Sequence, residues 1–226
     1  MYTKINLAAG VALAAAAVAA TPASAQVAGI ATSSPEAVIV RSQARINAYQ
    51  QIEQQYAAQI QQVRTLRQEM GTLQQSLDTN KDGQLSQQEL QANQAVVTQI
   101  QQKEQAVAQA TQPIVLAQSY AIEQLVNDYQ NIQQQVINDK KIQIMLSPDA
   151  IQWAPDTVNV TDALVAVMNQ RMPSVQTTPP AGWRPRQESL SLQQTVGQIL
   201  LGVAQQAAAQ AQQQQNQNQQ QQPTGR

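Results

Sequence analysis

The densest group of potential ligands in the chain is the run Asp78-Thr79-Asn80-Lys81-Asp82-Gly83-Gln84-Leu85-Ser86-Gln87-Gln88-Glu89. Its spacing is that of an EF-hand loop, in which oxygen donors at alternating positions and a final bidentate carboxylate surround a calcium ion. Asp78, Asn80 and Asp82 would offer side-chain oxygens, Gln84 its backbone carbonyl, Ser86 a ligand directly or through water, and Glu89 two carboxylate oxygens. Gly83 permits the sharp turn, and Leu85 is the apolar residue that such a loop points inward. With three carboxylates and no second loop in the chain, binding is expected in the weak extracellular range, on the order of 10⁻⁴ to 10⁻³ M. Pinning of a tip is expected rather than signalling. The same residues also satisfy a plainer description: Asp82-Gly83 makes a turn, Ser86 caps a following helix, and Glu89 completes a capping box.

Elsewhere the chain offers little chemistry. It contains no Cys and no His, which removes thiolate nucleophiles, imidazole bases, Ser-His triads and the usual zinc and copper ligands together. No carboxylate pair stands in a context that suggests acid/base work, since Asp149, Asp156 and Asp162 fall at turns and a helix start, where capping is their ordinary role. An enzyme is not expected, and neither is a nucleotide cofactor. Thirteen basic residues, one of them Lys4, face 14 acidic ones. Such a balance provides no bulk attraction to nucleic acid or anionic lipid.

The elements that must carry the loop follow from periodicity. Residues 1–25 read as a secretory signal peptide, with Lys4, an apolar run from Ile5 to Ala20 and the small residues Ala23-Ser24-Ala25 before an expected cleavage at Gln26. The run is too short for a stable membrane span. Export to the periplasm is the expectation. Over 36–43 the β-branched run Ala37-Val38-Ile39-Val40 after Pro35 predicts a first body strand.

Residues 44–111 predict a helical hairpin. Ile46, Tyr49, Ile52, Tyr56, Ile60, Val63, Leu66, Met70, Leu73 and Leu77 recur every three or four residues, close to the roughly 3.5 of a coiled-coil seam. At about 1.5 Å per residue the outbound helix reaches roughly 50 Å. The loop at 78–89 then forms the tip, and a return helix from Gln87 to Thr111 carries a sparser seam of Leu90, Val97, Ile100 and Val107. A sparse seam predicts a mobile hairpin.

Residues 112–172 predict a body. Pro113 is expected to break or restart the helix, after which Ile114, Ala117, Ala121, Leu125, Val126, Tyr129, Ile132 and Val136 form a wider stripe. Two strands are expected at Ile142 to Leu146 and Ala150 to Trp153, separated by Ser147-Pro148-Asp149, with Trp153 and Tyr129 in the core. Asn159-Val160-Thr161-Asp162 should cap a short helix. Residues 173–226 read as a Pro-rich linker, an amphipathic stripe at Leu192, Val196, Ile199, Leu200 and Val203, and a disordered Gln-rich tail.

Several of these segments resemble the Skp/OmpH family of periplasmic chaperones. Gln112-Pro113-Ile114 is similar to that family's Pro-Ile start of the last long helix. Ile142 to Leu146 and Ala150-Ile151-Gln152-Trp153-Ala154 resemble its two apolar strands, and Asn159-Val160-Thr161-Asp162 resembles its Asp-Ile-Thr cap. The likeness spans Glu36 to Met172 and rests on the order and spacing of the segments. It implies a mainly α (α+β) protomer whose long hairpin arm stands on a small β-body formed by trimerisation. It also implies ATP-independent holding of unfolded outer-membrane proteins, without stable membrane insertion. The arms depart from the family's Lys/Arg-rich pattern: they are Gln-rich, with Arg45, Arg64, Arg67, Lys81 and Lys103 as their positive charges. Two other functions fit the same residues: a calcium-binding EF-hand protein with a sensor or structural role, and a coiled-coil spacer without clients.

Overall fold

The computed structural model describes residues 29–220, and side-chain exposure through residue 214. The expected signal peptide lies outside the described residues. The chain opens with a strand β1 (Ile30–Thr32), followed by α1 (Pro35–Arg41), α2 (Gln43–Gln55), α3 (Ala57–Leu77), α4 (Gln87–Ala92) and α5 (Gln94–Lys140). After α5 come β2 (Ile144–Leu146), two single-turn 3₁₀ helices, α6 (Thr161–Arg171) and α7 (Gln187–Gln220). The architecture is mainly helical with one two-stranded sheet, as the α+β expectation has it.

The strand expected over 36–43 is instead α1. Ser34 accepts the Ala37 N–H at 3.1 Å as N-cap, Pro35 sits in the first turn, Glu36 follows it and Arg41 lies in the last turn. Each of these favours a helix end, and together they outweigh the β-branched run. Packing completes the override, since Val38 and Ile39 are fully buried. Strand pairing falls earlier: β1 pairs in parallel with β2, Ile30 opposite Ile144 and Thr32 opposite Leu146. Gly29 makes the join possible. It holds φ +92°, its carbonyl accepts N–H bonds from Gln143 and Ile144, and an added Cβ would meet the Gln143 side chain at 2.9 Å.

The second expected strand, Ala150 to Trp153, is absent among the described residues. Pro148 opens a 3₁₀ turn through Ala150, and Trp153, expected in the core, is 82% exposed. The chain reaches the free side of β1 only later, where Asn159 bridges Thr32 and the Val160 N–H bonds to the Thr32 carbonyl at 2.9 Å. Tyr129 does pack against the core cluster. Asn159 accepts the Thr161 N–H at 2.9 Å from one residue before the N-cap, a position that Val160 fills, so α6 starts without the side-chain cap at its N-cap that was expected.

The body core gathers α1, α2, the second half of α5 and α6. Ile39, Ile52, Ile122, Leu125, Ile132, Leu164 and Met168 are all buried within it, each contributing roughly 1.5–3 kcal/mol by removal from water. Arg45, also buried, donates to the Val40 carbonyl and lies 5.3 Å from the Tyr49 ring centroid, so it closes the end of α1.

Pro113 does not end the helix. Buried Ala110 and Ala117 flank it within a continuous α5, because helix packing on both sides offsets the one hydrogen bond that proline removes. The tail also differs from expectation: α7 continues through the Gln-rich tract to Gln220. No helix among the described residues is long and apolar enough to cross a membrane.

Candidate functional site

The long feature that leaves the body is the hairpin of α3 against the first half of α5. Lys103 on α5 meets Glu69 on α3 at 2.5 Å, and Val63 and Ala110 are both buried between the helices. Along the arm the seam is mixed: Ile100 on α5 and Leu77 at the far end of α3 are buried as well. Ile60, Leu66, Met70 and Leu73 on α3, and Val97 and Val107 on α5, are only half-buried, as is Leu90 on α4. Several of the apolar side chains that periodicity picked out therefore line the arm while remaining partly accessible. Their neighbours are mostly Gln, which donates and accepts hydrogen bonds without charge.

At the arm's end the six candidate ligands occupy one loop, but they are turned to the loop's own backbone. Asp78 accepts the N–H groups of Asp82 at 3.2 Å and Gly83 at 2.9 Å. Asn80 also accepts from the Asp82 N–H, and its amide donates to Asp82 at 2.9 Å. Asp82 accepts the Gln84 N–H at 2.8 Å. Gly83 stands at φ +78°, the left-handed turn for which glycine was singled out, although an added Cβ would touch nothing. Leu85 is 40% exposed rather than turned inward.

Glu89 is the best-held group of the tip. Its Oε1 accepts from the Thr79 N–H and hydroxyl at 2.8 and 2.9 Å and from the Asn80 N–H at 3.3 Å, and its Oε2 accepts from the Ser86 N–H and hydroxyl at 2.9 and 2.7 Å. Ser86 in turn accepts the Glu89 N–H, which closes the capping box on α4. These donors, the Ser86 N–H foremost, pull the Glu89 carboxyl down to about 2. Because its acidity is raised in the folded state, the order it contributes is complete above the ordinary carboxyl range and is lost as pH falls through about 2.

The donor types suit a hard cation, whereas the arrangement is that of the capped turn. No three acidic side chains converge on one point among the described residues. To ligate an ion, Glu89 would have to exchange its five protein donors for the metal. The sequence pointed to these residues but not to Thr79, which closes the loop onto Glu89 through both its N–H and its hydroxyl.

The family model described as "Outer membrane protein (OmpH-like)" matches residues 29–168. A solved structure from Caulobacter crescentus CB15, provisionally described as an outer membrane chaperone (OmpH-like), is 21% identical; the match covers 70% of this chain and 90% of that one with a TM-score of 0.41. Among curated proteins no match was found.

Proposed function

Since the chain belongs to the OmpH-like family, we propose that it is a periplasmic, ATP-independent holdase for unfolded outer-membrane proteins. The observation that supports this most is the arm itself: a long hairpin whose apolar seam is in part half-open and whose remaining surface is mostly uncharged amide. Such a surface holds a non-native chain through many weak contacts and lets it go without covalent chemistry. Because the arms carry few cations, client affinity should change little with salt, unlike capture by a basic patch.

Assembly into a homotrimer fits the body. β1 and β2 form a sheet of two short strands, while Ile144 on β2 is 51% exposed and Trp153 is 82% exposed. A small exposed sheet with bare apolar side chains is stabilised when copies pool their edges. The joint test is light scattering with and without a urea-unfolded outer-membrane β-barrel, alongside an aggregation assay. The expected result is three copies per particle and suppressed client aggregation. A monomer at micromolar concentration overturns the trimer, and unaltered client aggregation overturns the holdase.

The second reading concerns calcium at the tip, favoured by the full ligand spacing and by Gly83 in the turn the loop requires. Asp78, Asn80, Asp82, Gln84, Ser86 and Glu89 would hold the ion, and binding would neutralise three crowded carboxylates. Calorimetry at millimolar calcium should show one site per chain, and Glu89→Gln should weaken it at least tenfold while leaving assembly intact. No heat, or the same heat from the Glu89→Gln protein, would leave this segment as a capped turn.

A further inference from the structure

Residues 173–220 lie beyond the family match, yet they are fastened to the body by a series of anchors on one stretch of α5. The Gln124 amide donates to the Gln176 carbonyl at 2.9 Å and accepts the Gln176 N–H at 3.0 Å. Trp183 stands edge-on to Tyr120 with ring centroids 5.0 Å apart. Glu123 accepts from the Ser189 hydroxyl at 2.7 Å and the Arg186 N–H at 3.2 Å, and Gln193 reaches Gln118 at 2.9 Å. As α7 advances, its partners on α5 recede in number. It therefore runs antiparallel to α5, in the direction of the arm.

The apolar contact of α7 is narrow. Val196 is fully buried and Leu192 and Leu200 pack partly against the core, whereas every residue from Leu201 to Gln214 is exposed, Leu201 and Val203 at 59%. Beside it remains a groove of about 500 Å³ lined by Ile39, Val126, Tyr129 and Leu192, between α1, α5 and α7. α7 thus covers an apolar face without filling it. Two part-buried polar bonds, from Ser189 and Gln193, anchor α7 itself, and those of the linker before it, from Gln176 and Arg186, lie at exposed positions, where ion pairs and amide bonds hold weakly. The preceding linker keeps it tethered whether or not it is seated.

We infer that α7 is a releasable cover: Ser189 to Leu200 occupy in cis an apolar groove of α1 and α5 for which an apolar segment of an unfolded client competes. This rests on the holdase reading and adds a second client surface, at the base of the arm, regulated by the chain's own C-terminal helix. Release uncovers Ile39, Val126 and Tyr129, and reseating after client departure restores the cover.

The chain has no Cys, so a lock can be introduced cleanly. Cysteines at Ser189 and Glu123 of the full chain, bridged by a short bis-maleimide, should weaken affinity for a urea-unfolded outer-membrane β-barrel at least fivefold relative to the unbridged double variant. Val196→Ser, which loosens the seat, should strengthen affinity severalfold. Hydrogen exchange over 189–200 in the free, unsubstituted protein should exceed that over 122–136 at least tenfold, and client should raise it further. Equal client affinity in bridged and unbridged protein overturns the inference while leaving the holdase intact. Should no client bind to any variant, the holdase fails, and exchange over 189–200 as slow as in 122–136 then overturns the releasable cover by itself.

Discussion

Leu125→Ala is expected to destabilise the body by about 2–5 kcal/mol, the loss typical of a large aliphatic side chain truncated where neighbours cannot collapse onto the gap. Leu125 is fully buried on α5, in the cluster that also holds Ile39, Ile122, Ile132, Leu164 and Met168. Those neighbours come from α1, α5 and α6, so no single helix can shift to fill the space. Val97→Ala is the informative contrast, because Val97 is half-buried in the arm and water already reaches its side chain. Its loss should stay under about 1 kcal/mol. Urea denaturation at one fixed protein concentration checks both, since the proposed assembly would make apparent stability depend on concentration. Equal losses would mean that the arm seam is packed as tightly as the body.

The arm was legible in the sequence because an exposed hairpin has only its own period to define it. The recurrence from Ile46 to Leu77 maps onto α2 and α3 with a single break at Tyr56. The body is less legible, and for particular reasons. In Ser34-Pro35-Glu36 the start signals of a helix stand before a β-branched run, and cap and packing together override the strand preference of that run. β1 is three residues long with no pattern of its own; it exists because Gly29 lets the chain turn and because β2, more than a hundred residues later, supplies its partner. Trp153 is expected inside because aromatic residues in strands usually pack, and the chain forms no strand there. The links between Gln124 and Gln176, or Tyr120 and Trp183, leave no periodic trace. They join positions whose residue types say nothing about each other. At the tip, Asp78 to Glu89 supported both a metal loop and a capped turn, and the hydrogen bonds of Glu89 realise the turn while keeping the ligand order of the loop.

Pro113→Ala is expected to stiffen the base of the arm, slowing hydrogen exchange across 107–117 by up to about 10²-fold, the equivalent of the roughly 3 kcal/mol by which proline is less favourable than alanine inside a helix. Proline has no N–H for the carbonyl one turn back, so α5 is weakened there. On the facing strand of the hairpin, α2 ends at Gln55 and α3 begins at Ala57, with Tyr56 between them at φ −108° and ψ 23°. The two weak points lie at nearly the same level. Glu69 opposes Lys103, and in an antiparallel pair ten residues back along α3 match ten forward along α5, which sets Pro113 opposite about residue 59. A defect in one helix of a pair is splinted by the other, whereas two defects within a turn of each other leave no splint. Below them Ile52, Ala117, Ala121 and Ile122 are fully buried; above them buried Val63, Leu77, Ile100 and Ala110 alternate with half-open Ile60, Leu66, Met70 and Leu73. The pair of defects thus divides a firm base from a looser lever, and bending there moves the whole arm without breaking the body. If bending admits clients of different size, Pro113→Ala should slow capture of a large unfolded barrel more than that of a small one. Exchange across 107–117 that does not change would remove the hinge. Slower exchange with unaltered capture of both clients would reduce Pro113 to a local weakness that the arm does not use.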